Sequence, residues 1–205
     1  MKKTFTSILI FTFFSQLCFG FIKSDQTVPD FKLEDSYGNE ISLSSFMGKK
    51  VVLEWTNHGC PYVAKHYQTG NMQSTQDFAK DNDIVWLSII SSAPGTQGFV
   101  SSEEANELTV SRNASPSHVL FDTSGEVGRI FEAKTTPHMY IIDKQGLMRY
   151  QGAIDDAGGR GFMSKDLLKA KNYVKEGLSE LLTDQEITSP VTKPVSYTHL
   201  TLPTK

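Results

Sequence analysis

The chain has 205 residues, 39% of them hydrophobic and 21% charged, with a formal net charge of −3 at neutral pH. That length suffices for one well-cored domain, and the acidic balance argues against nucleic acid or an anionic membrane as a partner. Two cysteines, Cys18 and Cys60, are too few for a disulfide framework.

Lys2 and Lys3, the apolar run from Ile8 to Phe14, and the small residues Cys18 and Gly20 have the pattern of a secretory signal cleaved after Gly20. The run is too short to span a bilayer, so no integral membrane span is expected. Residues 1–20 are read as a signal peptide, and the protein is expected to be periplasmic or secreted. Its removal leaves Cys60 as the one cysteine, in an oxidising compartment where an odd cysteine is either reactive or waits for a partner.

Residues 31–35 alternate as a strand, Ser36 to Asn39 form a turn, and residues 40–43 read as a second strand, which makes a leading β-hairpin. Val51 to Trp55 is a continuous apolar run interrupted only by Glu54 and reads as a buried strand. It breaks into Thr56-Asn57-His58-Gly59, and a helix restarts at Pro61, a residue suited to the first helical position. That helix is expected to continue through Asn71 to Lys80. Residues 84–90 predict the centre of a sheet, because the run is too evenly apolar for a half-exposed strand. A helix opening at Ser102, a short strand at 119–121 and a helix over 126–133 follow. Thr136-Pro137 then opens a second hairpin, His138 to Asp143 and Leu147 to Tyr150, and a last helix is expected over 164–182. Gly158-Gly159-Arg160-Gly161 follows no strand, so it is a flexible loop and no dinucleotide fingerprint, and Asp155-Asp156 are expected to be solvated.

Residues 195–205 resemble one reading frame of a transposase-type sequencing adapter and are expected to be an artefact replacing the native C-terminus. The domain is then 21–194, and losing Lys2, Lys3 and Lys205 but no acid moves its net charge to −6.

Cys60 is the candidate catalytic residue. A helix N-terminus favours the thiolate, which is the nucleophile, over the thiol. The dipole supplies about 0.3–1 kcal/mol, against about 1.4 kcal/mol for each pKa unit, so a neighbouring cation is expected to help. His58, Lys65 and His66 are the candidates. The alternatives are an inert buried cysteine in an exported adaptor, and a soft-metal site in which His58, His66 and His138 join Cys60 on Cu(I).

The segments Pro29-Asp30-Phe31-Lys32-Leu33, Gly48 to Leu53, Trp55 to Pro61, Thr136-Pro137 and Gly152 to Asp156 together resemble the thioredoxin-like redoxins. The resemblance is to secreted proteins related to the alkyl hydroperoxide reductase and thiol-specific antioxidant group and to TlpA-type thiol oxidoreductases. It covers nearly all of residues 28–194. It implies an α/β thioredoxin-like fold, with a central mixed sheet flanked by helices and the leading hairpin as an N-terminal extension. It also implies an attacking thiol at Cys60 and a cis peptide at Pro137, with Thr136, Pro137, Asn57 and His58 meeting the substrate. No cofactor or metal is implied. The expected partners are a thiol reductant, a disulfide-containing protein or a small hydroperoxide.

Two departures bear on mechanism. Val63 occupies the place of a second cysteine, so no Cys-x-x-Cys disulfide can form. Asn57 stands where peroxiredoxins carry a threonine, with Thr56 one place further back. A thiol from a partner, or a cysteine beyond the replaced C-terminus, would then have to resolve any adduct on Cys60.

Overall fold

The computed structural model describes residues 24–158, 167 and 169–194. The expected signal peptide, the glycines at 159 and 161, the start of the expected last helix and the adapter-like tail lie outside the described residues.

The leading hairpin consists of β1 (Lys32–Asp35) and β2 (Glu40–Ser42), and Leu43–Phe46 close it as a 3-10 turn where a longer second strand was expected. The buried run forms β3 (Val51–Trp55) and is followed by α1 (Pro61–Gln68). The helix expected to run on to Lys80 is in fact two, because Gly70 takes a left-handed φ of 77° between α1 and α2 (Asn71–Asp81). Side chains other than glycine rarely adopt that conformation, and it turns the chain onto a new axis.

Next come β4 (Val85–Ile90), α3 (Ser102–Ser111), β5 (His118–Phe121) and α4 (Glu126–Ile130). Ser101 and Glu104 form a reciprocal capping box at the start of α3, a two-bond device that fixes where the helix begins. The second hairpin is β6 (His138–Ile142) and β7 (Met148–Gly152). The last helix, α5 (Tyr173–Leu182), is capped by the Asn172 side chain and so begins later than the sequence suggests.

Among the described residues the strands form one mixed sheet in the order β2-β1-β5-β4-β3-β6-β7. Strands β3, β4 and β5 are parallel, while β1 and β6 join them antiparallel. Alternate residues of β3 feed two cores. Val51, Leu53 and Trp55 pack with Leu87, Ile89, Leu120, Phe131 and Tyr140 on one face. On the other face Val52 packs with Trp86, Met139 and Ile141 under α1, α2 and α5. Each fully buried Leu or Ile contributes about 1.5–3 kcal/mol, so this two-faced burial sets the register.

That register builds the site. Trp55 pairs with His138 across antiparallel β3 and β6. The residues that leave β3 toward Cys60 and those that enter β6 through Thr136-Pro137 therefore meet at one end of the sheet.

Candidate active site

Cys60 is the N-cap of α1, with φ −79° and ψ 123°, and Pro61 takes the first helical position. Its amide donates to the Asn57 carbonyl at 3.0 Å, which closes the turn that leaves β3. The Thr136–Pro137 peptide is cis, and Cys60 Sγ donates to the Thr136 carbonyl oxygen at 3.1 Å. The thiol and the proline loop, 76 positions apart in sequence, are in direct contact.

The resemblance implies that Thr136 meets the substrate. The structure turns it inward instead: Thr136 is 1% exposed and its carbonyl is occupied by the sulfur. Cys60 itself is fully buried. An attacking group must displace cover to reach it.

Part of that cover was not evident in the sequence. Asn57 is buried, and its side-chain oxygen accepts from Gly59 N at 2.9 Å while its amide donates to Gln97 Oε1 at 3.0 Å. A Cβ at Gly59 would collide with the Gln97 amide, and one at Gly98, where φ is +91°, would collide with Asn57. The loop around 97–98 lies on the thiol turn with Gly98 at a left-handed φ where a side chain would be strained. Asn57 holds the turn and the loop together.

The expected cationic help does not come from histidine. Burial first, and then Arg112, lower the pKa of half-buried His58. Burial, with a smaller contribution from Lys65, lowers that of His66 to about 3, and burial with Lys134 lowers that of His138 to about 4. All three are neutral at neutral pH. Lys65 is buried and donates to the Gly158 carbonyl at 3.4 Å. The helix N-terminus favours the thiolate, and the Thr136 carbonyl opposes it, since an acceptor facing a donor becomes an acceptor facing an anion.

His138 Nδ1 lies 2.9 Å from the Tyr140 hydroxyl, which donates to the Phe131 carbonyl at 3.0 Å. The hydroxyl has one hydrogen, so His138 Nδ1 is the donor and the Nε2 lone pair is the one left over. His66 is held by Asn71 at 3.0 Å and lies 3.7 Å from Asp155. Asp155 is buried rather than solvated, and accepts from the Asn71 amide at 3.1 Å; Asp156 is exposed. Among the described residues no three His, Cys, Asp or Glu side chains gather as a metal site.

A second buried acid lies in the strand that ends at this turn. Glu54 is fully buried, and its carboxylate accepts from Tyr67 (3.0 Å), Trp86 Nε1 (2.9 Å) and Ser88 (2.9 Å). Burial raises its pKa and outweighs these donors. Trp86, in the run expected at the centre of the sheet, is also one of the donors to this acid.

The Redoxin family pattern matches residues 23–167. The chain belongs to the Redoxin family. It is 26% identical over 162 residues to a Helicobacter pylori (strain J99) protein whose name calls it a peroxiredoxin, bcp; the match covers 76% of this chain and 95% of the relative. Solved structures of a conserved Geobacillus kaustophilus protein (TM-score 0.74, 18% identity, covering 90% of this chain and 93% of that one) and of a Sinorhizobium meliloti protein (TM-score 0.72, 18% identity, covering 91% and 98%) share the fold. So does the thioredoxin domain of a thiol-disulfide oxidoreductase from Bacteroides vulgatus, with TM-score 0.51 and 18% identity, over 63% of this chain and 87% of that domain. The expected thioredoxin-like fold is therefore the one observed. Among the described residues no helix is long and apolar enough to cross a membrane.

Proposed function

We propose that this Redoxin-family protein is an exported thiol-dependent oxidoreductase in which Cys60 attacks a disulfide. The observation that carries this reading is the 3.1 Å contact between Cys60 Sγ, at the start of α1, and the Thr136 carbonyl of the proline loop. A substrate sulfur entering beside Pro137 takes the place where that carbonyl now holds the thiol. Export rests on the signal-like pattern of residues 1–20.

The Sγ proton leaves as the Thr136 contact opens, and the helix N-terminus favours the resulting thiolate. The thiolate forms a bond to one substrate sulfur, the substrate S–S bond breaks, and the departing thiolate takes up a proton. Because Val63 stands three residues after Cys60, the mixed disulfide persists until a thiol from a partner attacks it. Asn57 and His58 shape the turn, and Pro137 shapes the entry beside it.

A second reading, attack on a hydroperoxide, is supported by the relative named as a peroxiredoxin. There the thiolate would take the terminal oxygen, the O–O bond would break, and an alcohol and a Cys60 sulfenic acid would remain. The Asn57 amide, which stands at the place of the peroxiredoxin threonine, is already committed to Gln97, and this favours disulfide exchange. A copper-carrier role has weaker support, because His66 and His138 are engaged by Asn71 and Tyr140.

Incubation with an oxidised dithiol should consume one thiol per chain at Cys60. Equal consumption by Cys60→Ser protein, or faster consumption with peroxide than with any disulfide, would reject disulfide attack by Cys60.

A further inference from the structure

Behind the thiol turn, that turn together with α1, β4, α3 and β5 borders a cavity of about 40 Å³, lined among others by Thr56, His58, Tyr67, Ser88, Thr109 and Arg112. A water needs about 10–15 Å³, so the cavity has room for about three or four waters or one carboxylate. Its polar groups are unusual. Arg112 is half-buried, stacks its guanidinium 5.0 Å from the Tyr67 ring centroid, and donates to the His58 carbonyl at 3.4 Å. Among the described residues no carboxylate closes an ion pair with it.

Thr56 is 8% exposed, and its Oγ1 makes no hydrogen bond, although it lies near enough to the Glu54 carboxyl to favour that group's charged form. Glu104, which acts on His58 through its field, is tied to the Ser101 amide by the α3 capping box. A half-buried guanidinium that stacks on Tyr67, gives one hydrogen bond to a carbonyl and has the Thr56 hydroxyl lining the same cavity offers the fork that holds a planar anion.

The site adjoins the reacting centre. Arg112 is bonded to the carbonyl of His58, two residues before Cys60. Resting on the oxidoreductase reading above, we propose that Arg112 and Thr56 bind a carboxylate carried by a small disulfide substrate, so that the chain prefers oxidised thiol acids over neutral or cationic disulfides. The chemistry is the exchange already described: the Cys60–substrate bond forms, the substrate S–S bond breaks, and half of the substrate leaves as a thiol acid.

The test compares the rate at which the full chain forms a mixed disulfide at Cys60 with dithiodipropionate (two carboxylates), hydroxyethyl disulfide (neutral) and cystamine (two ammonium groups). Dithiodipropionate should react fastest. Arg112→Gln should slow it by about tenfold, the loss of one charge-assisted contact, while the neutral disulfide changes less than about twofold. Arg112→Lys, which keeps the charge but not the fork, should fall between them. Equal rates with all three disulfides in the native chain, or a uniform slowing of all three by Arg112→Gln, would overturn the proposal.

Adipate, which has the two carboxylates and no S–S bond, separates the site from the reaction. It should bind Cys60→Ser protein and fail to bind the Cys60→Ser, Arg112→Gln double variant. If adipate binds in this way while no disulfide reacts, the anion site stands and the oxidoreductase reading fails. If disulfides react but adipate ignores Arg112, the reading stands and the anion site fails.

Discussion

Glu54 and Asp35 are both buried carboxylates with at least three hydrogen-bond donors, yet their proton affinities move in opposite directions. Asp35 lies in the hairpin next to β5. Burial would raise its pKa, but the Asn39 amide, the His118 ring at 3.0 Å, the Tyr37 amide and the Asn39 side chain together bring it down to about 2. Glu54 is in β3, surrounded by side-chain donors from α1 and β4, and there burial wins. Backbone amides fixed by a turn bring their dipoles ready-aligned, while hydroxyls and an indole must also satisfy one another. The hairpin acid works as a charged staple. The acid in the strand leading to Cys60 retains its proton more readily.

Each side of this comparison can be broken separately. The largest effect belongs to the thiol end: Cys60→Ser should abolish mixed-disulfide formation, as mass analysis of the Cys60 peptide would show, while leaving the unfolding midpoint nearly unchanged. At the hairpin, Asp35→Ala leaves two amides and His118 without their acceptor and should cost about 2–3 kcal/mol in urea unfolding at neutral pH. The sign of its pH dependence follows from the lowered pKa. The stabilisation is complete above the unfolded value near 3.8 and is lost as pH falls toward about 2, so the gap between native chain and variant should close over that interval.

Glu54→Gln should act with the opposite pH dependence and a smaller size. The folded state holds the Glu54 proton more tightly than the unfolded chain does, so stability is full below the ordinary carboxylate range and declines as pH rises through the raised value. Gln keeps the acceptor for Trp86 and Ser88, and its amide can face Tyr67, which contacts the other oxygen. Relative to the native chain, the variant should gain stability as pH rises above the ordinary carboxylate range. A gap that stays constant with pH would mean that Glu54 is not held protonated by the fold.

Much of this architecture was legible in the sequence because it rests on local rules. The Val51–Trp55 run, the Pro61 start of α1 and the Ser102 opening of α3 each announce an element through local sequence alone. The break at Gly70 was missed because a lone glycine between two helical stretches has no mark of the φ it will take. What lay beyond the sequence was long-range. Nothing local to Asn57 points to Gln97, nothing local to Glu54 points to Trp86, and Arg112 reaches His58 across 54 positions. The expectation of a cationic histidine failed for a related reason: burial decides the charge of His66 and His138, and burial is a property of the assembled core.

The central claim is that the fold activates Cys60 rather than merely enclosing it. The most direct measurement is the rate at which the Cys60 peptide acquires a mixed disulfide at neutral pH, in the folded chain and in the same chain unfolded in urea. Faster modification in the folded chain is the predicted result; a Cys60 that reacts only after unfolding would contradict the account.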